Sequence, residues 1–198
     1  MNRDKRYLAR LMLIGMLLIA TRSLDLGCTY MCTPNLSHEL NPLIKLTGSG
    51  WVGLMMIQIP FALLAIVLAA YYEMGPSRFL PACKPLSFSE FSSYFYCKER
   101  RSSLSLLLSR IYDGRVVWFS LGYILPRAMC LNGLILGLWA MVVWRFSGEY
   151  AELLLLLSPM VLLLAYLVPI VLFQMAFIHE QYRLYEVKDR ESMRQRAA

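Results

Sequence analysis

The chain has 198 residues, 58% of them hydrophobic, and a mean hydropathy of +0.51, which excludes an ordinary water-soluble domain. Its formal net charge of +7 comes in blocks between apolar runs, and no recognition motif accompanies them, so nucleic-acid binding is not expected. The expected fold class is all-α: a single polytopic membrane domain, a four-transmembrane-helix bundle with spans near 7–32, 51–72, 116–144 and 151–179.

The first span opens on Arg3, Lys5, Arg6 and Arg10, a basic start that would also suit a signal peptide. The stretch "IATRSLD" puts Arg22 where small residues would prepare cleavage, so a retained helix is expected. Arg22, Asp25, Thr29 and Cys32 recur at i, i+3, i+7 and i+10 and share one helix face. Asp25 lies about 27 Å of rise beyond Tyr7, toward the outer interface. Pro34 ends the helix, and "HELNP" supplies His38, Glu39 and Asn41 in the outer loop, with Pro42 holding Asn41 extended. If that loop folds back over the bundle, Glu39 and Asn41 cap the polar stripe. Cys28, Cys32, His38, Glu39 and Asp25 are ligand types without the paired short spacings of a structural zinc site, so no metal is expected. A hard cation among Asp25, Glu39 and the Asn41 amide is the weaker alternative.

In the second span Gln58, Ala62, Ala65, Ala69 and Tyr72 form a seam of mostly small side chains, the kind that lets helices approach closely in lipid. The connector 73–115 starts irregularly at Pro76, Pro81 and Pro85. Ser87 with Glu90 then matches a capping box, and Phe88, Phe91 and Phe95 follow at helical spacing. A second amphipathic stretch, "SSLSLLLSRIYDG", lines up Leu104, Leu107, Leu108 and Ile111 and ends near Gly114. These amphipathic helices either lie in the headgroup layer or pack against the inner mouth of the bundle.

The third span carries a longer seam, Gly122, Pro126, Cys130, Gly133, Gly137 and Ala140, in which Gly133 and Gly137 form G-x-x-x-G. Both seams signify helix packing, within one chain or between chains. Arg127 sits about 16 Å of rise from the start of the span, and Asn132 points about 140° away from it. An unpaired arginine at that depth costs at least about 2.5 kcal/mol, and Asp25 is the carboxylate within the spans that lies away from their ends. An interior cluster follows, in which Asp25 meets Arg127, Arg22 or both. The alternatives are a structural ion pair that fixes helix register, or an Arg22 that snorkels outward. In the fourth span Pro159 and Pro169 each remove a backbone donor, His179 and Glu180 read as an interfacial cap, and a basic tail follows over 180–198.

The basic segments before span one, between spans two and three and after span four fall on one side, which the positive-inside rule makes cytoplasmic for both termini. Cys83 and Cys97 then face a reducing compartment, Cys28 and Cys32 are poorly placed to bridge, and all five cysteines are expected to be packing residues.

The Asp25–Thr29 helix followed by Glu39-x-Asn41-Pro42 and another span resembles a group of uncharacterised prokaryotic membrane proteins, domain of unknown function 5658. The match covers roughly the first third of the chain, and Asn132 echoes a polar position in that group's later helix. The long aromatic and basic connector and the fourth span depart from the group's pattern. The resemblance implies a helical membrane domain and marks Asp25, Glu39, Asn41 and Pro42 without assigning them a role.

No G-x-S-x-G elbow, H-E-x-x-H or Gly-rich phosphate loop is present, and nothing in the sequence names a cofactor. The leading expectation is a helix-bundle assembly component in the lipid bilayer, a homo-oligomer or part of a membrane complex. The first alternative is an oligomeric small transporter or ion-conducting unit. The second is a membrane-embedded enzyme that uses Asp25 and Glu39 on a lipid or lipid-linked substrate.

Overall fold

The structure, a computed structural model, describes residues 3–36, 48, 50–75, 77–81, 86–98 and 113–197. Four helices carry them: α1 (Arg3–Cys32), α2 (Gly50–Glu73), α3 (Phe88–Cys97) and α4 (Gly114–Ala197). The described residues contain no strand.

The helical backbone of α4 is unbroken, but it is not one straight rod. The side chain of Asn132 donates to the Ala165 carbonyl at 3.2 Å, and Trp139 donates to Ser158 at 3.3 Å. A straight helix would hold Asn132 and Ala165 about 50 Å apart. The chain therefore reverses between Trp139 and Ser158 and makes two antiparallel spans, Gly114–Phe146 and Leu156–Glu191. With Tyr7–Cys32 and Gly50–Glu73, four segments are long and apolar enough to cross a membrane. The fourth runs further than its expected end at 179, because the helix continues through the basic tail to Ala197.

Contacts fix the order of the bundle. Thr21 of α1 meets Gly133, Leu24 meets Gly137, and Cys32 donates to the Ala140 carbonyl at 3.2 Å, so α1 and the third span run parallel. Leu68 and Tyr72 of α2 meet Gly122, and the Tyr72 ring packs at a tilt on Phe119, so α2 runs antiparallel to both. One end of the bundle thus gathers Arg10, Glu73, Phe119 and Phe177 and is called here the basic end. At the other end Trp51 donates to the Pro34 carbonyl at 2.7 Å and packs on Tyr30. Exposed Trp118 and Trp144 mark the two levels on the third span. They are about 39 Å apart in helix rise, the spacing of aromatic belts at the two faces of a bilayer.

The largest core cluster lies at the basic end, where Phe91, Phe95, Phe119 and Phe177 are wholly or almost wholly buried around Tyr72. Helix α3 gives it Phe91, Phe95 and Tyr96. Its start is the capping box expected from Ser87 and Glu90, each side chain accepting from the other's backbone N–H. Phe91 packs on Tyr182 and Tyr185, and Phe95 packs on Phe177. Of the two positions open to this amphipathic segment, it takes the one against the mouth of the bundle. Asp113 accepts from the Arg115 N–H at 3.0 Å and starts α4. The stretch holding Leu104 to Ile111 lies outside the described residues. Ser87→Ala is expected to weaken α3 by about 1 kcal/mol. Hydrogen exchange should show it as faster exchange across Phe88–Cys97 with the spans unchanged.

Candidate functional site

Polar side chains enter the bundle at two levels. The first level is built on Arg22, a part-buried cation among the apolar residues of α1. Its Nη1 lies 3.2 Å from Asp25 Oδ2, one turn along the same helix. Its Nη2 donates to the Met129 carbonyl and to Asn132 Oδ1, each at 2.9 Å. Asn132, only 3% exposed, passes the link on through Nδ2 to the Ala165 carbonyl. That carbonyl is open for a reason legible in the chain. Its helical partner would be the N–H of residue 169, which is Pro169 and has none. One arginine and one asparagine thus tie together the first, third and fourth spans, and the proline supplies the vacant acceptor.

This arrangement makes a specific prediction. Asn132→Leu is expected to cost about 1–2 kcal/mol, the range for a hydrogen bond between helices in a membrane. In a Pro169→Ala background the Ala165 carbonyl regains a helical donor, so the same substitution should cost less. Unfolding midpoints of the four proteins in one detergent measure the coupling. Equal costs in both backgrounds would separate Asn132 from Pro169.

The second level lies at the basic end. Glu73, the last residue of α2, has a side chain only 3% exposed and sits between Arg127 at 3.4 Å and Arg10 at 3.7 Å. Arg127 also donates to the Tyr123 carbonyl at 2.9 Å, and its guanidinium lies 3.9 Å from the centre of the Tyr123 ring. Beside them the Tyr72 hydroxyl donates to Glu180 and accepts from Gln181, both at 3.3 Å. On α3, outside the spans, burial raises the pKa of the Tyr96 hydroxyl above its ordinary value, while the polar side chains of Ser120 and Gln174, the latter donating to it at 2.8 Å, pull it partly back.

Of the meetings expected for Asp25, with Arg127, with Arg22 or with both, the one with Arg22 forms, and Arg127 pairs instead with Glu73. Register explains it: Asp25 lies level with Gly137, ten residues beyond Arg127 and about 15 Å further along the helix. Helix side chains also lean toward their own N-terminus, which carries the Arg127 guanidinium away from Asp25 and onto Tyr123 and Glu73. Asn132 faces α1 and the fourth span, on a different side from Arg127. Thr29 is half-buried on the stripe, and its carbonyl accepts from the Thr33 hydroxyl at 3.1 Å. His38, Glu39, Asn41 and Pro42 lie outside the described residues.

Both small-residue seams are occupied by the chain itself. Gly133 and Gly137 receive α1, Gly122 receives α2, and Ala65 and Ala69 are fully buried, with Ala62 partly so. Cys28, Cys32 and Cys130 are free thiols. Among the described residues no group of three His, Cys, Asp or Glu side chains is placed to hold a metal ion.

Sequence reasoning missed Glu73, Arg10 and the Tyr72–Glu180–Gln181 chain. Glu73 ends an apolar run, which in the sequence makes it the first residue of the connector. The available signal was its place four residues after Ala69, at the end of the same seam, with an arginine standing about 16 Å into the next span. No family model matches the chain, and no curated protein or solved structure is significantly similar to it.

Proposed function

We propose that the chain is a non-catalytic assembly component of a membrane complex, its basic end in the cytoplasm and its bundle a rigid scaffold. The observation that carries this reading is the closure of the polar interior. Arg22 is spent on Asp25, Met129 and Asn132, Asn132 on Ala165, and Arg127 on Glu73 and Tyr123. A pathway or a catalytic centre needs ionisable groups with free valence facing a cavity, whereas these groups hold one another and cross-tie helices. Function then passes to the surfaces, above all to the basic end, where arginines stand in excess. The likeness of the first helix and its Glu-x-Asn-Pro segment to domain of unknown function 5658 agrees with this reading, since it implies a helical membrane domain with no assigned activity.

The oligomeric transporter is the second reading. It draws on three buried polar atoms without a partner among the described residues: Arg22 Nε, Gln58 Oε1 and Gln181 Oε1. Two measurements separate the readings. Solubilised gently from native membranes, the protein should run on a native gel as a discrete species heavier than the single chain with its micelle. In proteoliposomes it should pass no proton or ion current that depends on Asp25 or Arg127. A lone chain on the gel together with such a current would overturn the proposal.

A further inference from the structure

The fourth helix runs well past the basic end with one face covered and the other bare. On the covered face Phe177, Gln181 and Tyr185 are buried, and Tyr182 donates to the Leu86 carbonyl at 3.3 Å while packing on Phe88 and Phe91. The bare face carries His179, Arg183, Val187, Arg190 and Arg194, spaced four, four, three and four residues apart and all exposed. Among the described residues none of the three arginines has an ion-pair partner. An open groove of about 600 Å³ runs along the upper part of this face, lined by Ala176, His179, Glu180, Arg183, Leu184 and Val187.

We infer that this face docks an acidic amphipathic segment of a partner protein, its carboxylates meeting Arg183, Arg190 and Arg194 and an apolar side chain covering Val187. The inference rests on the assembly reading and names the surface and the chemistry through which assembly occurs. Three features select this occupant. Arg190 and Arg194 lie about 16 Å and 22 Å of rise beyond His179. The headgroup layer adds only about 5–8 Å per side, so a helix held upright by α3 carries both arginines beyond the lipid. A nucleic-acid backbone would be served by charge alone, whereas here Val187, 50% exposed, and the groove's Ala176 and Leu184 lie among the cations. An apolar anchor ringed by charge is the anatomy of a protein-binding patch. Glu180, the acid in the groove, is engaged with Tyr72, and Glu186 and Glu191 flank the stripe and set the register a partner must respect.

The test is photo-crosslinking of the full chain in its native membrane. Val187→benzoylphenylalanine is expected to yield an adduct whose mass spectrum shows a peptide of another protein with acidic residues at helical spacing. Leu167→benzoylphenylalanine, on the exposed apolar part of the same helix, should yield lipid. Arg183→Glu, Arg190→Glu and Arg194→Glu together should cut the Val187 adduct by about tenfold or more, and Arg190→Glu alone by less. Purified alone in detergent, each variant should keep the parent chain's size-exclusion profile, which shows that it is folded. An adduct to lipid, to nucleic acid, to residues 99–112 of the same chain or to nothing overturns the inference, as does an adduct that survives the triple reversal. The native gel keeps the two readings apart. A heavy complex without the adduct removes this docking face and leaves assembly standing, whereas a lone chain removes both.

Discussion

Gly122→Ala should abolish the packed bundle although it adds one methyl group. A β-carbon at position 122 would overlap the Leu68 carbonyl oxygen and sit 3.0 Å from the Tyr72 β-carbon. The first obstacle is backbone of α2, which cannot rotate aside as a side chain can. Relief requires α2 to move off the third span, and that breaks the packing of Tyr72 on Phe119 and Tyr123 and opens the buried Ala65–Ala69 seam. Overpacking costs about 1–3 kcal/mol where side chains can adjust, and this site belongs at or above the top of that range. The other glycines of the seam should follow a graded order. At Gly133 the nearest atom is the Thr21 carbonyl oxygen at 3.0 Å, so Gly133→Ala asks for a small shift of α1. At Gly137 it is a Leu24 side-chain carbon at 3.2 Å, which can give way. Alanine is also the better helix former by about 1 kcal/mol, so Gly137→Ala should be close to neutral. Unfolding midpoints of the three variants in one detergent test the order 122, 133, 137 from most to least damaging. Any other order would mean that close backbone approach does not organise this bundle.

The same comparison shows why part of the fold could be read from the chain and part could not. Spans were legible because apolar length is a local property, and so were the Ser87–Glu90 capping box and the seams of small residues. The face shared by Arg22 and Asp25 was legible because one helix fixes their spacing. What pairs across helices depends on vertical register, which the chain encodes only through contacts far apart in sequence. Arg127 therefore had a depth that pointed to Asp25 rather than to its actual mate, and Glu73 had a place at the end of a span but no visible charge to meet. The reversal within α4 was legible only as two apolar runs, since the helical backbone carries through it without a proline or a break to mark the turn. The role of Pro169 could be half foreseen: a missing donor follows from the residue type, while the asparagine that fills the vacancy comes from 33 residues away.

Asp25→Ala is expected to be the most damaging change on the stripe, and the way it is rescued would show what the charges are for. The substitution leaves the Arg22 guanidinium among the first, third and fourth spans with two neutral acceptors and no carboxylate. Removing one partner of a buried pair costs about 3–5 kcal/mol, because the other charge stays desolvated and uncompensated. The alanine variant should therefore unfold at far lower temperature than the parent or fail to accumulate in the membrane. Arg22→Leu should be similarly harmful, since Asp25 then loses its cation and Asn132 Oδ1 loses its donor. The informative protein is the double variant Arg22→Leu with Asp25→Leu. A buried ion pair replaced as a unit by apolar side chains of similar size is often neutral or stabilising. If Arg22 and Asp25 serve only to tie helices, the double variant should recover the parent's unfolding midpoint and still form the heavy complex on a native gel. A double variant that folds like the parent but loses the complex would mean that the pair contributes something beyond cohesion. The singles locate the electrostatic cost and the double isolates any role left over, so the three proteins together decide whether this polar centre is architecture or machinery.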